Sequence, residues 1–368
     1  MGRMKVLLVA GARPNFMKVA PVLRQLERAG HSTVLVHTEQ HYDEQMSGAF
    51  FNDLGIREPD HCLGVGSGSH AQQTARVMER FEPVLEAVSP DWVVVPGDVN
   101  STLAAALVTA KLRPSIGCRL AHLEAGLRSF DWRMPEEMNR VLTDRCADLL
   151  LTPSRDAHAN LEREGIEARK VAFVGNLMVD SLLDRLPAAR SRGAPAALGL
   201  DSGRYVMATL HRPSNVDDER ALRTCMAGLL LVAAELPVVL PVHPRTRQQI
   251  DAAGLGSDLG QLRLMPPIGY VEMLSLVDSA AVVITDSGGL QEETTALGVP
   301  CVTLREQTER PITVSHGTNR LAPWPLTATG ILASFREAVS EARSAPGSRS
   351  PEGWDGHSAA RVVQALES

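Results

Sequence analysis

Short apolar runs rich in β-branched residues recur along this chain, each followed by a helix-patterned segment, and this alternation constrains the fold most. In the first half the runs lie at 5–10, 33–37, 92–96, 119–123, 149–152 and 171–174. In the second half they lie at 205–210, 238–242, 262–265, 282–285 and 301–304. They are nearly continuous in apolar residues, the pattern of strands covered on both faces. Segments such as 16–29, 71–87, 102–112 and 136–146 read as the intervening helices. The predicted class is therefore α/β, with Rossmann-like parallel sheets. A length of 368 residues exceeds one typical core and suits two domains. The Ala/Arg/Gly/Pro-rich stretch 186–203 is the expected linker between domains at 1–185 and 204–355. A final helix at 356–368 is expected to return to the first domain.

Bulk composition removes several function classes. A hydrophobic content of 44% is that of a soluble globular protein. The net charge of -6 offers no electrostatic case for nucleic acid or an anionic membrane, so an anionic ligand would need a local basic cluster. The five cysteines, Cys62, Cys118, Cys146, Cys225 and Cys301, are scattered, odd in number and free of CxxC spacing, which fits a reducing cytosol without structural zinc. The expected localisation is cytoplasmic: the N-terminus does not read as a signal peptide, and no apolar stretch is long enough to span a membrane. Neither G-x-G-x-x-G after the first strand, a Walker lysine motif nor H-x-x-x-H spacing occurs, so no bound NAD, P-loop or metal is expected.

Polar motifs fall repeatedly at the carboxyl ends of the expected strands, where parallel sheets bind ligands. Gly11-Ala12-Arg13-Pro14, Gly97-Asp98 and His122 to Arg128 do so in the first half, and His211-Arg212, His243-Pro244-Arg245 and Asp286-Ser287 in the second. Six such placements argue for a single interdomain site. The run Asp286-Ser287-Gly288-Gly289-Leu290-Gln291-Glu292-Glu293 is the most specific. A strand turning through Ser-Gly-Gly into a helix presents bare N–H groups and the positive helix end to a phosphate. Glu293, one turn in, suits a ribose diol. An ordinary capped helix explains the same residues, but the polar run Arg305 to Pro311 makes poor core and suits a cleft. In the first half Asp98, Glu124 and Glu136 stand out, with Arg13, Lys18, Arg128 and Arg140 nearby in sequence. Acids and bases gathered in one cleft favour proton transfer. Helix N-terminal stabilisation is the plain alternative for Glu136 and Glu137, and helix capping for Asp98.

In order along the chain, these motifs resemble the non-hydrolysing UDP-N-acetylglucosamine 2-epimerase family. The resemblance rests on Gly11 to Pro14 with Lys18 to Pro21, Gln40-His41, Gly97-Asp98, Glu124 to Arg128 and Pro135 to Arg140. It continues with His211-Arg212 and Asn215, His243-Pro244, Asp286 to Glu293, and Thr308 to Pro311. It implies a glycosyltransferase-B-like pair of domains, a homodimer, a UDP-sugar as the ligand, and reversible inversion at C2 of UDP-GlcNAc to give UDP-ManNAc with no cofactor. The C2 proton is not α to a carbonyl, and transient oxidation would need NAD. The remaining route expels UDP, removes the C2 proton to leave a glycal, and re-adds both from the other face.

By motif position, Asp98, Glu124 and Glu136 are then the acid/base carboxylates, His211 assists at the leaving phosphate, and Lys18 and Arg140 orient these groups. Arg13, Ser287, Gly288 and Gly289 would hold the diphosphate, Glu293 the ribose and Arg310 the nucleotide end, with His243 also in the UDP-binding set. Gln40, His41, Gln73 and Arg212 are candidates for an activator site. Two departures stand out: Asn15 replaces an acid common after Arg-Pro, and the stretch 129–134 resembles relatives acting on other UDP-2-acetamido sugars. The alternatives are a hydrolysing epimerase releasing UDP and ManNAc, an epimerase of a related sugar, a glycosyltransferase, or a non-enzymatic UDP-sugar sensor.

Overall fold

The computed structural model describes residues 2–39, 51, 54–344 and 350–368, except the side chains of residues 13 and 342–344. The chain forms two compact units, Met1–Ser181 with Glu352–Ser368, and Leu182–Pro351.

Among the described residues, the first unit contains β1 (Lys5–Ala10), β2 (Ser32–His37), β3 (His61–Cys62), β4 (Trp92–Pro96), β5 (Arg119–Leu123), β6 (Leu149–Thr152) and β7 (Val171–Phe173). They form one parallel sheet in the order β3-β2-β1-β4-β5-β6-β7. Covering helices bury both faces: Leu7, Leu8, Val93, Val94 and Leu120 are fully buried, which explains why their strands read as unbroken apolar runs. The order reverses between β1 and β4. Their connections leave in opposite directions there, opening a crevice at the carboxyl edge. The C-terminal segment joins this unit: Trp354 Nε1 donates to the Pro153 carbonyl at 3.3 Å, and Trp92 Nε1 to the Leu366 carbonyl at 3.0 Å.

The second unit repeats the plan. β8 (Val206–Thr209), β9 (Val238–Pro241), β10 (Leu262–Met265), β11 (Val282–Thr285), β12 (Cys301–Thr303) and β13 (Asn319–Leu321) form a parallel sheet in the order β10-β9-β8-β11-β12-β13. Its reversal lies between β8 and β11.

Two short edge strands, β3 and β13, have no counterpart in the sequence reading. His-Cys and Asn-Arg-Leu are too short and too polar to show an apolar run. The stretch 186–203 also differs from a linker. Helix Leu177–Arg192 runs into it, Ala194–Ala197 adds a short helix, and the division between the units falls inside the long helix. Leu182, Leu186 and Ala189 follow helical spacing and pack with Leu274, so a composition typical of loops conceals a buried stripe.

Candidate active site

In the first unit the crevice between β1 and β4 is lined by chain turns that the sequence specifies closely. Asn15, near the start of helix Arg13–Arg28, accepts the N–H groups of Gly11 and Ala12, each at 3.0 Å. A neutral amide thus supplies the acceptor that an acid would. A Cβ on Gly11 would come within 2.6 Å of the Ser101 hydroxyl, so only glycine lets the chain leave β1 this close to helix Asn100–Ile116. Gly97, after β4, has φ +66°, and a Cβ there would lie 3.1 Å from Lys18 Nζ and 3.6 Å from Glu124 Oε2.

Around that glycine the acids and bases pair. Lys18 Nζ forms a buried ion pair with Glu124 Oε2. Arg140 directs Nε and Nη2 to Asp98 Oδ2 at 3.0 and 2.7 Å, and Nη1 to Glu137 at 2.6 Å. Glu124 itself has φ +64°, a left-handed conformation costly for a residue with a side chain and concentrated at functional sites. Glu136 is half-buried and, among the described residues, makes no hydrogen bond or ion pair. The neighbouring carboxylate has a different duty: Glu137 accepts the N–H groups of Ser129 and Phe130 at 2.9 and 2.8 Å, fixing the loop before its helix. Burial opposes the Glu137 charge, but these N–H groups and Arg140 outweigh it and hold its pKa below the ordinary value.

A buried network supports this cluster from beneath. His122 approaches Asp144 at 2.6 Å through Nδ1 and the Gly97 carbonyl at 2.7 Å through Nε2. Both neighbours are acceptors, so whichever ring nitrogen carries a hydrogen finds a partner. Asp144 also accepts from Gly126 N–H and Arg128, and Arg128 forks onto Glu164. Burial works against the Asp144 charge, and His122 and Arg128 hold its pKa low. Arg128 therefore belongs to the support and not to the crevice. Gln73 is buried and accepts from Asn100, whose side-chain oxygen lies 3.3 Å from Asn139 Nδ2. Asn139 also donates to the Asp98 carbonyl at 2.8 Å. The side chain of Arg13, and Gln40 and His41 entirely, lie outside the described residues.

In the second unit the crevice between β8 and β11 centres on Asp286, which is fully buried. Its oxygens accept the N–H groups of His211 and Arg212 and the Asn215 amide, and lie 2.8 Å from His211 Nδ1. Burial penalises this charge, yet His211 and the backbone donors lower its pKa. The His211 side chain stays about half exposed, so its other ring nitrogen is held by a dyad but open to a ligand.

Beside it, Ser287 caps helix Gly288–Leu297 by accepting Leu290 N–H. Among the described residues the N–H groups of Gly288 and Gly289 donate to no protein acceptor. They face an anion-ready helix terminus. A Cβ on Gly288 would come within 2.8 Å of Glu309 Oε1. Glu309 pairs with Arg212 at 3.3 Å and Arg305 at 2.8 Å. Despite burial, Arg310, Arg305 and Arg212 pull its pKa to about 2. Arg310 Nε lies 3.0 Å from Glu292 Oε1. Burial pushes Glu293 up to about 7, with Tyr270 opposing the shift and Glu292 adding to it. His243 is exposed and caps helix Pro244–Ala252 with its own ring, accepting Arg245 N–H at 3.4 Å.

The structure thus gathers Lys18, Asp98, Glu124 and Arg140 in one unit. In the other it gathers His211, Arg212, Ser287, Gly288, Gly289 and Arg310. Of the activator candidates within the described residues, Gln73 lies in the first unit and Arg212 in the arginine cluster of the second. Sequence reasoning named Glu137, Asp286 and Glu309 only within motifs, with no partner assigned to any of them, and did not name Asp144. Only Asp286 carried a usable signal, as an acid at the end of an apolar strand.

These features recur in known proteins. The family model described as UDP-N-acetylglucosamine 2-epimerase matches residues 24–367. A UDP-N-acetylglucosamine 2-epimerase of Methanocaldococcus jannaschii is 41% identical over 327 residues, 86% of this chain and 88% of that one. A UDP-2,3-diacetamido-2,3-dideoxy-D-glucuronate 2-epimerase of Pseudomonas aeruginosa is 44% identical over 322 residues, with the same coverage of 86% and 88%. The crystal structure of the Methanocaldococcus jannaschii UDP-GlcNAc 2-epimerase in complex with UDP-GlcNAc and UDP superposes with a TM-score of 0.87 at 38% identity, covering 99% of both chains. A family match over most of the chain, relatives above 40% identity and a shared fold along its length agree: this chain belongs to the UDP-N-acetylglucosamine 2-epimerase family.

Proposed function

We propose that the chain interconverts UDP-GlcNAc and UDP-ManNAc without hydrolysis. The observation that carries this reading is the pairing of Glu124 with Lys18 and of Asp98 with Arg140 around Gly97, with Glu136, unpaired among the described residues, on the same helix as Arg140. In the elimination the anomeric C–O bond breaks and its electrons leave with UDP. The C2 proton passes to a carboxylate, and the C–H electrons form the C1–C2 double bond of the glycal. Return of a proton to the opposite face of C2, with UDP re-adding at C1, gives the epimer. Inversion needs acid/base groups on two sides of the ring, and Asp98, Glu124 and Glu136 are the candidates. Among the described residues Glu136 has no counter-charge. Lys18 and Arg140 hold the other two carboxylates in place.

The second unit would retain UDP while the glycal waits. The Gly288 and Gly289 N–H groups with Ser287 receive a phosphate, and Glu293 receives the ribose. His211, oriented by Asp286, assists the departing phosphate oxygen. Arg310 acts at the nucleotide end, and its contact with Glu292 sets its position.

A related UDP-2-acetamido sugar is the second reading. It is favoured by the 44% identity to the Pseudomonas aeruginosa diacetamido-glucuronate epimerase. Incubation with UDP-GlcNAc in D2O, without NAD or metal, followed by proton NMR, tests both. UDP-ManNAc with deuterium at C2 of both epimers is expected. Free UDP with ManNAc would establish the hydrolysing reaction instead. Turnover of the diacetamido uronate alone would move the substrate, and binding without exchange at C2 would leave a sensor.

A further inference from the structure

On the β2 side of the first unit's crevice, β2 and β3 bring together three side chains that the proposed chemistry does not use. The parallel register pairs His37 with Cys62 directly. Glu39 follows His37 by two residues, and its left-handed backbone, φ +54°, turns the carboxylate back toward the pair. One imidazole nitrogen, the Cys62 Sγ and a Glu39 oxygen lie within 4.8 Å of one another. The His37 ring is about 95% buried, packs edge-on against Phe16, and makes no hydrogen bond among the described residues. A buried imidazole without a partner is costly unless something occupies its lone pair.

We propose that His37, Glu39 and Cys62 bind one divalent cation of the zinc class, with the protein supplying three ligands. Thiolate, imidazole and carboxylate together are a zinc-type donor set, and three protein ligands leave a fourth position for water. Zinc bonds of about 2.0–2.3 Å require the three ligand atoms to draw together by only about 1 Å. A cation placed between the Cys62 thiol and the Glu39 carboxylate would favour loss of the thiol proton. Glu39 is already oriented by the Gly64 N–H at 2.8 Å, a supporting contact of the kind that fixes metal ligands. Because His37 and Cys62 lie on adjacent strands, the bound cation would cross-link β2 to β3.

Cobalt titration of the full-length, chelator-stripped protein tests this, since a thiolate–cobalt bond gives a near-ultraviolet charge-transfer band. The expected result is a band saturating at one equivalent, displaced by zinc, with zinc raising Tm. Cys62→Ser should abolish the band and weaken cobalt binding by at least the roughly 10- to 100-fold that losing a supporting group costs. Cys146→Ser, at a half-buried thiol elsewhere, should leave both unchanged. Cys62 is exposed, so its substitution keeps the test valid even if His37→Gln impairs folding. Absence of the band, or its survival in Cys62→Ser, would overturn the proposal.

Discussion

The two crevices share one topology and differ in chemistry. Each lies where its sheet order reverses, between β1 and β4 in one unit and between β8 and β11 in the other. In the first, carboxylates and cations pair off, Lys18 with Glu124 and Arg140 with Asp98, and the carboxylates are the proposed working groups. In the second, a fully buried carboxylate is the fixed support, and the open groups are donors: His211 and the N–H groups of Gly288 and Gly289. The same strand order decides where a ligand meets the protein, and loop residues decide what the meeting does.

Substitutions can separate the two roles. The largest effect is expected for Glu124→Gln, which keeps shape but removes a proton acceptor. Turnover should fall about 10³-fold, measured as deuterium exchange at C2, while UDP affinity by calorimetry stays within about twofold. Normal turnover would remove Glu124 from the chemistry. Arg140→Lys comes next. A lysine cannot hold Asp98 and Glu137 at once, so kcat should drop by about 10²-fold with a smaller change in KM. A pure KM effect would make Arg140 a substrate ligand instead.

In the second unit, Asp286→Asn keeps the volume but loses the charge opposite His211. We expect kcat to fall by about tenfold, with weaker UDP binding and a lower Tm, because four donors lose an ionic acceptor. Loss of turnover with unchanged UDP affinity would erase the division of labour between the crevices.

The smallest effect is on stability. Glu293 has a pKa of about 7, above the ordinary 4.5, so the native chain binds this proton more tightly than the unfolded one. Its protonated form is favoured below the ordinary value, and stability is lost as pH rises between the two values. Glu293→Gln should therefore raise stability by up to about 3 kcal/mol at pH near 8 and change little near pH 5, as read from denaturant unfolding. An equal gain at both values would mean that the carboxyl is not the source. The same substitution should weaken UDP binding at the higher pH.

Much of this plan was legible in the sequence because buried parallel strands must be apolar on both faces. β1, β4, β5, β6, β10 and β11 read residue for residue, while His61–Cys62 and Asn319–Leu321 did not, being edge strands too short for a pattern. Glycine-rich turns were legible for a similar reason, since Gly11 and Gly97 stand where a Cβ meets Ser101 or Lys18.

The sequence by itself determined the α/β class, the strand ends that carry polar groups, and the residue types available there. Only the tertiary structure decided the partners. Glu136 and Glu137 are adjacent and alike in sequence, yet among the described residues one is unpaired and the other clamps Ser129, Phe130 and Arg140. Asp286 meets His211 across 75 residues, and His37 meets Cys62 through the register of two strands. Local pattern fixes how a segment pairs its own backbone and hides its own apolar side. The counter-charge of a given side chain depends on which distant loop the sheet order delivers beside it, and no local pattern contains that.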